Sequence, residues 1–250
     1  MTGNIFEGRV VLITGASTSV GRETALAFAK RGAKVAIGDA DDRANETVEL
    51  IEKIGGEAVF FKTDLTNGKE VKSLVEQTID KLGGLDHTFN HATSILNIPT
   101  KFADIEEDEF EQVMEVDLKG IFLAVKYQLQ YMVANGGGTI VNMASLAGLM
   151  ANPYIAPYVA ANHAVIGLTK AAAFDYAEDG IRVNAIEPVL TETSVTQLWK
   201  DNAKKRSFPM PRTVKPEEIA DMVIFLSSDA ASFCNGFVYA VNRTNFPLTS

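Results

Sequence analysis

A short turn rich in small residues is the first feature of this chain with a chemical use. It runs from Thr14 to Gly21, between a predicted strand and a predicted helix, with glycine at positions 15 and 21. Backbone N–H groups at the start of such a helix have no partner within it and can face a pyrophosphate. The strand-turn-helix context is more specific than an isolated glycine pattern. The turn therefore predicts a dinucleotide site formed by Gly15, Ser17, Val20 and Gly21.

A carboxylate follows at the end of the next predicted strand. Asp39 lies 24 residues after Gly15, where a carboxylate accepts hydrogen bonds from a ribose 2′-hydroxyl. It would repel a 2′-phosphate, and the turn itself contains no Arg or Lys to attract one. We therefore predict NAD rather than NADP as the cofactor. The alternative is that Asp39 belongs with Asp41 and Asp42 to the acidic entry of the next helix.

The elements that position these residues alternate between strand and helix along the whole chain. Strict alternation predicts right-handed crossovers and a parallel sheet covered on both faces. We therefore expect an α/β fold, with one Rossmann-type, doubly wound, parallel seven-stranded sheet and helices on both faces, over residues 1–250 as a single domain. The predicted strands are Val10–Ile13, Lys34–Asp39, Ala58–Lys62, Leu85–Asn90, Thr139–Met143, Arg182–Ile186 and Phe237–Val241. The predicted helices are Gly21–Arg31, Arg43–Ile54, Lys69–Leu82, Asp108–Met132, Tyr158–Glu178 and Glu217–Ser227.

One segment breaks this alternation and predicts a lid over the substrate site. Residues 188–216 show no clear periodicity and include Pro209, Pro211 and Pro216. A long unpatterned stretch within a compact domain is typical of a lid or a binding loop. The alternative is a weakly patterned helix near Ser194–Asn202, which could itself belong to a lid.

The charge and the cysteine content exclude several classes of partner. The chain has 23 basic and 32 acidic residues, for a net charge of −9, and an acidic surface repels nucleic acid and anionic lipid. No apolar run reaches the about 18 residues that span a membrane, and Met1–Arg9 lacks the pattern of a signal peptide. A single cysteine, Cys234, fits a reducing compartment. We expect a cytoplasmic protein with no nucleic-acid partner, no membrane contact and no metal site.

These motifs and several others, in the same order, resemble the short-chain dehydrogenase/reductase family over nearly the whole chain. The resemblance implies a Rossmann fold, a nicotinamide dinucleotide cofactor and further cofactor contacts from Asp64, Leu65, Asn90 and Ala92. The matching segments are Thr14–Gly21 (family pattern TGxxxGxG), Lys62–Leu65 (the adenine-contacting step), Phe89–Thr93 (NNAG), Val116–Gly120 (the helical Asn), Ile140–Ser145 (the strand before the catalytic Ser), Ile181–Pro188 and Pro216–Ala220.

The resemblance also implies a catalytic tetrad of Asn, Ser, Tyr and Lys, of which this chain keeps two members. Ser145 and Tyr158 are present, 13 residues apart as in the family. Asp117 stands where the family has Asn, and Asn162 stands where it has Lys. In the family the tyrosine donates or accepts the proton, so both substitutions fall on the groups that transfer it.

The two substitutions predict a tyrosine that stays protonated. Residues four apart share a helix face, so Asn162 lies beside Tyr158. Without a nearby cation a tyrosine keeps a pKa of about 10, and about one molecule in a thousand is ionised at neutral pH. An ionised Asp117 raises that pKa further. General acid–base catalysis by a group with a matched pKa increases the reaction rate by about 10²–10⁴-fold. We expect this chain to have lost much of that increase.

A different residue could replace the missing lysine. Lys170 is too distant, at about 18 Å along the same helix, and His163 faces elsewhere on it. His91, beneath the expected nicotinamide, could relay protons. The alternative for His91 is a packed, hydrogen-bonded residue without a catalytic role.

Further departures fall on the expected cofactor contacts. Ser19 replaces the middle glycine of the phosphate turn, and Thr93 and Val189 replace glycines near the cofactor floor. Each adds a side chain where the backbone should approach the cofactor closely. We therefore expect the isolated chain to bind NAD weakly or not at all.

Three functions are open at this point. The first is a non-catalytic (pseudoenzyme) subunit of an NAD-dependent alcohol or hydroxyacyl dehydrogenase complex. The losses resemble those of the inactive chain in heteromeric dehydrogenases, such as the alcohol dehydrogenase of the anaerobic toluene (benzylsuccinate) pathway. The second is an active NAD-dependent oxidoreductase that uses Ser145 and Tyr158 with a modified tetrad. The third is a nucleotide- or metabolite-sensing protein.

The family resemblance implies dimer and tetramer contacts through the two long helices, Asp108–Met132 and Tyr158–Glu178. We expect a homologous active subunit as the partner, with a homotetramer as the alternative. Arg243, where the family has glycine, would meet its own copy in a symmetric pair, which favours a different partner. The expected contact residues are Phe122, Val125, Tyr127, Leu129, Met132, Ala164, Leu168, Ala172 and Tyr176.

Overall fold

One parallel sheet forms the centre of the molecule. The computed structural model describes residues 3–91, 100–151, 153–188 and 213–241. In those ranges the strands are β1 (Val10–Thr14), β2 (Lys34–Asp39), β3 (Ala58–Lys62), β4 (His87–Asn90), β5 (Gly138–Met143), β6 (Ile181–Pro188) and β7 (Val238–Val241). Their order is β3-β2-β1-β4-β5-β6-β7, and every neighbouring pair is parallel. This order confirms the predicted doubly wound sheet, because its second half starts at β4 beside β1.

Helices cover both faces of the sheet, as predicted. They are α1 (Ser19–Ala29), α2 (Ala44–Lys53), α3 (Gly68–Leu82), α4 (Glu107–Val113), α5 (Gly120–Ala134), α6 (Ala156–Asp175) and α7 (Pro216–Ser227). Ile13 of β1 packs in one core with Phe28 of α1 and Val223 of α7. Its neighbour Leu12 packs in the other core with Val165 of α6, because successive strand residues point to opposite faces. Within the described ranges, no helix combines the length and apolarity needed to cross a membrane.

The predicted helix from Asp108 to Met132 is divided in the structure. α4 ends at Val113, a π-helical segment covers Met114–Lys119, and α5 begins at Gly120. A π-helical turn is wider than an α-helical one and changes the direction in which its side chains point. This segment includes Asp117, which is only 5% exposed. The interruption therefore places a carboxyl group inside the molecule, as such bulges often do at functional sites.

A buried network of polar side chains joins β4 and β5 to α5 and α6. The Asn90 amide donates to Gln128 and to Asn142, at 2.9 Å in each case, and Gln128 donates back to Asn90 at 2.7 Å. Asn142 donates to Thr169 Oγ1 at 3.0 Å, and Thr88 donates to Gln128 at 3.1 Å. All five side chains are buried. Removing any one would leave a buried polar partner unsatisfied, so the network fixes the two strand ends.

Several residues expected on the partner-facing surface of α5 and α6 lie in the core instead. The periodicity of each helix turns them toward the sheet, and only the opposite face is free for a partner. The exposed apolar residues of that face are Phe122 and Val133 on α5 and Phe174 on α6, with Phe174 87% exposed. The buried residues that correct the prediction are Val125, Leu129, Met132 and Ala172.

His87, at the amino end of β4, is enclosed by aromatic rings. Its ring lies 5.0 Å from that of Phe6 and 6.2 Å from that of Phe28, and its Nδ1 lies 2.8 Å from Thr139 Oγ1. Burial lowers the pKa of His87 from 6.5 to about 4. The unfolded chain therefore takes up a proton below pH 6.5 while the folded chain does not, so stability is lost as the pH falls from 6.5 to about 4.

We expect the titration of His87 to lower the free energy of unfolding by up to about 3 kcal/mol across that pH range. Urea denaturation at a series of pH values measures this loss. His87→Gln cannot titrate and should flatten the profile, whereas exposed His163→Gln should leave it unchanged. A His87→Gln profile as steep as that of the unmodified chain would contradict the assignment.

Candidate dinucleotide and catalytic site

The candidate site lies beyond the carboxyl ends of the central strands. β1 pairs with β2 on one side and β4 on the other, and this point is where open α/β sheets bind ligands. Because the strands are parallel, Gly15, Asp39, His91 and Ser145 follow or end neighbouring strands at one edge. The sheet therefore brings the predicted phosphate turn and the predicted catalytic serine to the same side of the molecule.

Two glycines of the phosphate turn are required by close packing. Gly15 has a φ of +74°, and a methyl group at this position would overlap the carbonyl oxygen of His91. A methyl group on Gly21 would overlap the carbonyl oxygen of Gly15. These glycines let the turn, α1 and the end of β4 approach backbone to backbone, as a dinucleotide-binding turn requires.

Helix α1 presents N–H groups at this turn. Thr18 precedes the helix, and its Oγ1 donates to the Gly15 carbonyl at 2.8 Å instead of capping the helix. Arg22 N donates to Thr18 O at 2.9 Å, and the N–H groups before Arg22 have no i−4 partner within the helix. The first turn of α1 carries no acidic side chain. The N-terminus of α1, with Val20 and Gly21, therefore suits an anion such as a pyrophosphate.

Ser19 is compatible with this cradle. It is exposed at the first position of α1, and Tyr154 is the only non-glycine residue with positive φ in the described part of the chain. Ser19 thus has ordinary backbone geometry, and its hydroxyl can donate to a phosphate oxygen. Of the departures expected to weaken NAD binding, Thr93 and Val189 lie outside the described residues, as does the predicted contact Ala92.

Asp39 connects the end of β2 to the turn. Its Oδ2 accepts from Ser17 N and its Oδ1 from Asp41 N, each at 2.9 Å, and it is 8% exposed. Each carboxylate oxygen has a second lone pair for a ribose hydroxyl. The neighbouring Asp42 is instead paired with Lys62 at 2.7 Å. Asp39 thus differs from the acids that follow it, because it faces the phosphate turn.

The remaining predicted cofactor contacts have more local roles. Asp64 Oδ1 accepts from the backbone N and the Oγ1 of Thr66, at 2.9 and 2.8 Å, in the turn before α3. Leu65 packs next to Gly120 at the start of α5. The side chain of Asn90 is used by the buried network described above, so it positions β4 and is not available to contact a cofactor directly.

His91 supports the phosphate turn from behind. Its backbone N donates to Thr14 Oγ1 at 2.9 Å, and its Nδ1 lies 3.4 Å from Gly15 O and 3.3 Å from Thr18 Oγ1. Its ring is stacked on Phe89, and burial lowers the pKa of His91, which favours the neutral ring. None of these contacts is with Ser145 or Tyr158, so His91 is a positioning residue of the turn and not a replacement for the lysine.

Ser145 and Tyr158 meet at this edge of the sheet. Ser145 follows β5 by two residues, and its Oγ accepts from Ala147 N at 3.3 Å. Tyr158 lies in the first turn of α6, and Ser145 and Asn162 are near enough to its hydroxyl to lower the pKa of that group. Asn162 is buried, and its Nδ2 also donates to the backbone carbonyl of Tyr158 at 2.9 Å. The structure thus places both retained tetrad members and both substituted positions in one cluster.

The surroundings of Tyr158 keep it protonated. Burial raises the pKa of Tyr158 above 10 and the charge of Asp117 raises it further, against the hydrogen bonds from Ser145 and Asn162, which lower it. Among the described residues, none of the groups that act on this pKa is a cation. The charge of Asp117 raises the pKa of Tyr158 as predicted, whereas Asn162 lowers it through a hydrogen bond. The largest cause is burial, which sequence alone does not give.

Glu187 is a site residue that sequence reasoning missed. It lies in β6 immediately before Pro188, is 2% exposed and has an Oε2 without a hydrogen-bond partner. Burial raises the pKa of Glu187 from 4.5 to about 7. The available signal was a carboxylate at the end of an otherwise apolar strand segment, Ala185–Pro188, because such an acid requires a reason to be buried.

Comparison with known proteins agrees with this geometry. A family model described as enoyl-(acyl carrier protein) reductase matches residues 15–243. The 2,5-dichloro-2,5-cyclohexadiene-1,4-diol dehydrogenase of Sphingobium indicum is 38% identical over 242 residues, covering 94% of this chain and 96% of that protein. The cyclohexanol dehydrogenase of an Acinetobacter species is 37% identical over 240 residues, covering 96% and 95% of the two chains. The structure of an NAD⁺-bound xylitol dehydrogenase has a TM-score of 0.90 at 30% identity, covering 96% of this chain and 99% of that one.

The sheet order, the phosphate turn at its switch point and the Ser145–Tyr158 pair all agree with these matches, which extend over nearly the whole chain. This chain is a member of the short-chain dehydrogenase/reductase family of oxidoreductases.

Proposed function

We propose that this chain is an NAD-binding, catalytically silent subunit that works beside a homologous, active dehydrogenase chain. The observation that carries the proposal is the cluster around Tyr158, where a buried carboxyl group and an amide take the places of the family's amide and lysine. Alcohol oxidation needs a base for the hydroxyl proton. A tyrosine held protonated by burial and by Asp117 cannot supply one at neutral pH.

The cofactor proposal is NAD in preference to NADP. The turn around Gly15 and the start of α1 fit a pyrophosphate, since glycine at position 15 lets the turn pack against the His91 carbonyl with the N–H groups of α1 directed at the site. Asp39 supplies acceptors for a ribose diol. When bound, NAD⁺ accepts a hydride from an alcohol carbon. In this chain the residues of the cradle would bind and orient the dinucleotide, whereas the Tyr158 cluster would leave the proton without an acceptor.

We expect NAD to bind at least about tenfold more tightly than NADP, because the Asp39 carboxylate repels a 2′-phosphate. Calorimetric titration with both dinucleotides measures the ratio. Asp39→Asn keeps an acceptor for Ser17 and removes the charge, so the ratio should fall toward one. Asp42→Asn, on an exposed acid, is the control and should leave the ratio unchanged. Equal affinities in the unmodified chain would contradict the role of Asp39.

The partner proposal is supported by the exposed face of α5 and α6. The two helices contact each other, and together they leave Phe122, Val133 and Phe174 at the surface. Exposed aromatic side chains on adjoining helices are typical of protein interfaces. A homologous active subunit would present a similar helix pair. The homotetramer is the alternative, and Arg243, whose charge led us to favour a different partner, lies outside the described residues.

The ligand class that we propose is a neutral, six-membered-ring secondary alcohol or its ketone. Two of the relatives are named for such alcohols, a cyclohexanol and a cyclohexadienediol. Among the residues that the structure describes, the ionisable groups that we identify near Tyr158 are His91 and the carboxyl groups of Asp117 and Glu187. None of these would bind an anionic ligand away from the phosphate turn.

Co-expression with candidate homologous dehydrogenase chains, followed by native mass spectrometry and assay of cyclohexanol oxidation with NAD⁺, tests the proposed function. We expect a mixed oligomer whose activity is lost when the partner's catalytic tyrosine is replaced and is unaffected by Tyr158→Phe in this chain. If only homo-oligomers form with every partner, and each partner is fully active alone, the proposal is wrong.

A second candidate is an active dehydrogenase. It is favoured by the retained Ser145 and Tyr158, which lie in one cluster, and by the names of the relatives. The third candidate, an NAD sensor, is favoured by the intact phosphate cradle beside a disabled tyrosine. Turnover by the isolated chain that Tyr158→Phe abolishes would establish the dehydrogenase. Tight NAD binding without turnover and without a partner would establish the sensor.

A further inference from the structure

Glu187 is a buried acid at the carboxyl end of β6. Its Oε2 is inaccessible to solvent and has no hydrogen-bond partner, and the residue as a whole is 2% exposed. A buried carboxyl oxygen without a partner destabilises a protein, most of all when the group is charged, and an apolar residue of similar size would avoid this loss. An acid kept in such a place is expected to serve a ligand.

The side chain of Glu187 points to the face of the sheet that carries α6. Val183 and Ala185 precede it at two-residue spacing and pack in the core formed with α5 and α6, whereas Ile186 packs in the opposite core. Because strand side chains alternate, Glu187 shares the α6 face. α6 is the helix that carries Tyr158, so the acid and the tyrosine belong to the same layer.

The backbone of Glu187 also lies at the edge where Ser145 leaves the sheet. Ala144 N donates to Ile186 O at 2.8 Å, which places Glu187 beside the residue that precedes Ser145. The short helix after Ser145, Leu146–Gly148, contacts β6 as well. Glu187 is therefore at the margin of the Ser145–Tyr158 cluster.

Glu187 is nevertheless separate from the proton-transfer cluster itself. The carboxyl group that raises the pKa of Tyr158 is Asp117 and not Glu187. Burial is the one cause of the raised pKa of Glu187, so no described ionisable group lies close enough to act on it. A ligand hydroxyl beside Ser145 and Tyr158 would thus leave Glu187 for a second polar group of the same ligand.

We propose that Glu187 is a ligand-binding residue that accepts a hydrogen bond from a second hydroxyl group, so that the site prefers a cyclic diol to the corresponding mono-alcohol. A hydroxyl suits this place better than an ammonium group. It can pair with a carboxyl group in either protonation state, whereas an ammonium group requires two charges to be desolvated together. A ligand carboxylate would be repelled. The inference rests on the cyclic-alcohol ligand class proposed above, concerns binding only, and holds whether or not the chain catalyses turnover.

Binding of cis-1,4-cyclohexanediol and cyclohexanol to the full chain, measured by calorimetry or ligand-detected NMR, tests this proposal. We expect the diol to bind about ten- to a hundredfold more tightly than cyclohexanol, the range of a hydrogen bond to a charged or polarised group. In Glu187→Leu the two affinities should become equal. Glu187→Gln, which keeps an acceptor oxygen, should retain part of the preference, and exposed Glu111→Gln should retain all of it.

The outcomes separate this proposal from the others. An equal affinity for both probes in the unmodified chain, or a preference that survives Glu187→Leu, would overturn it. A tighter binding of 4-aminocyclohexanol than of the diol would overturn the assignment of a hydroxyl partner. We expect Glu187→Leu to raise the melting temperature above pH 7, which checks that it folds. These experiments measure binding and not turnover. A negative result for Glu187 therefore does not contradict the proposal for Tyr158, and a negative result for Tyr158 does not contradict the proposal for Glu187.

Discussion

In the double variant Asn162→Lys, Asp117→Asn, the pKa of Tyr158 is expected to fall, because a cation close to a phenol favours its anion. The change removes the buried carboxyl group that raises the pKa of Tyr158 and adds the charge that favours tyrosinate. The tyrosinate fraction at neutral pH should rise by about 10–10³-fold. The pH–rate profile of cyclohexanol oxidation with NAD⁺ should shift to lower pH, and turnover at neutral pH should rise by up to the same factor.

The single variants show which group matters. Asn162→Lys alone should restore little, because the Asp117 carboxylate would pair with the new ammonium group and offset its effect on Tyr158. Lys170, exposed further along α6, provides the control position, and Lys170→Gln should have no effect on the profile. A double variant whose pH–rate profile does not move would show that Tyr158 is silent for a reason other than its missing cation.

Gly15→Ala is expected to destabilise the fold by about 2–4 kcal/mol and to abolish NAD binding. Its φ of +74° disfavours a side chain, and the methyl group would overlap the His91 carbonyl oxygen. The backbone of the turn must then move away from β4, so the N–H groups at the start of α1 no longer point together at the pyrophosphate site. Urea denaturation and calorimetric titration with NAD measure the two effects.

Gly55→Ala separates the cost of the positive φ from the cost of the overlap with the His91 carbonyl oxygen. Gly55 has a φ of +80°, and nothing lies within 4 Å of a methyl group placed there, so only the backbone term of about 1 kcal/mol applies. The difference between the two variants measures the overlap with His91. If Gly15→Ala binds NAD normally, the turn is not the phosphate site.

The order of strands and helices could be predicted because alternation is encoded locally. β2 and β3 begin and end at the predicted residues, and the other strands differ by one or two positions at their ends. The π-helical segment at Met114–Lys119 could not be predicted, because apolar spacing in that region is also compatible with a continuous helix. That segment determines where Asp117 lies, and with it the carboxyl group of the site.

The chemistry of the site was predicted in part. The proximity of Asn162 to Tyr158 follows from helix periodicity, and the sign of the shift in the pKa of Tyr158 follows from charge. The roles of Asn90 and His91 could not be obtained in this way, since they depend on which buried polar groups meet across strands. The role of Glu187 could be recognised only from its burial, because a single acidic residue next to a proline does not by itself indicate a functional site.

The pKa of Tyr158 tests the central claim most directly. ¹³C NMR of the chain labelled at tyrosine Cζ, with Tyr158→Phe to assign the signal among the six tyrosines, follows this titration without any need for turnover. The account predicts that Tyr158 remains a neutral phenol up to a pH above 10, because burial and Asp117 both disfavour its anion. A Tyr158 signal that titrates below about pH 8 would show that another group supplies the missing charge, and would contradict the account.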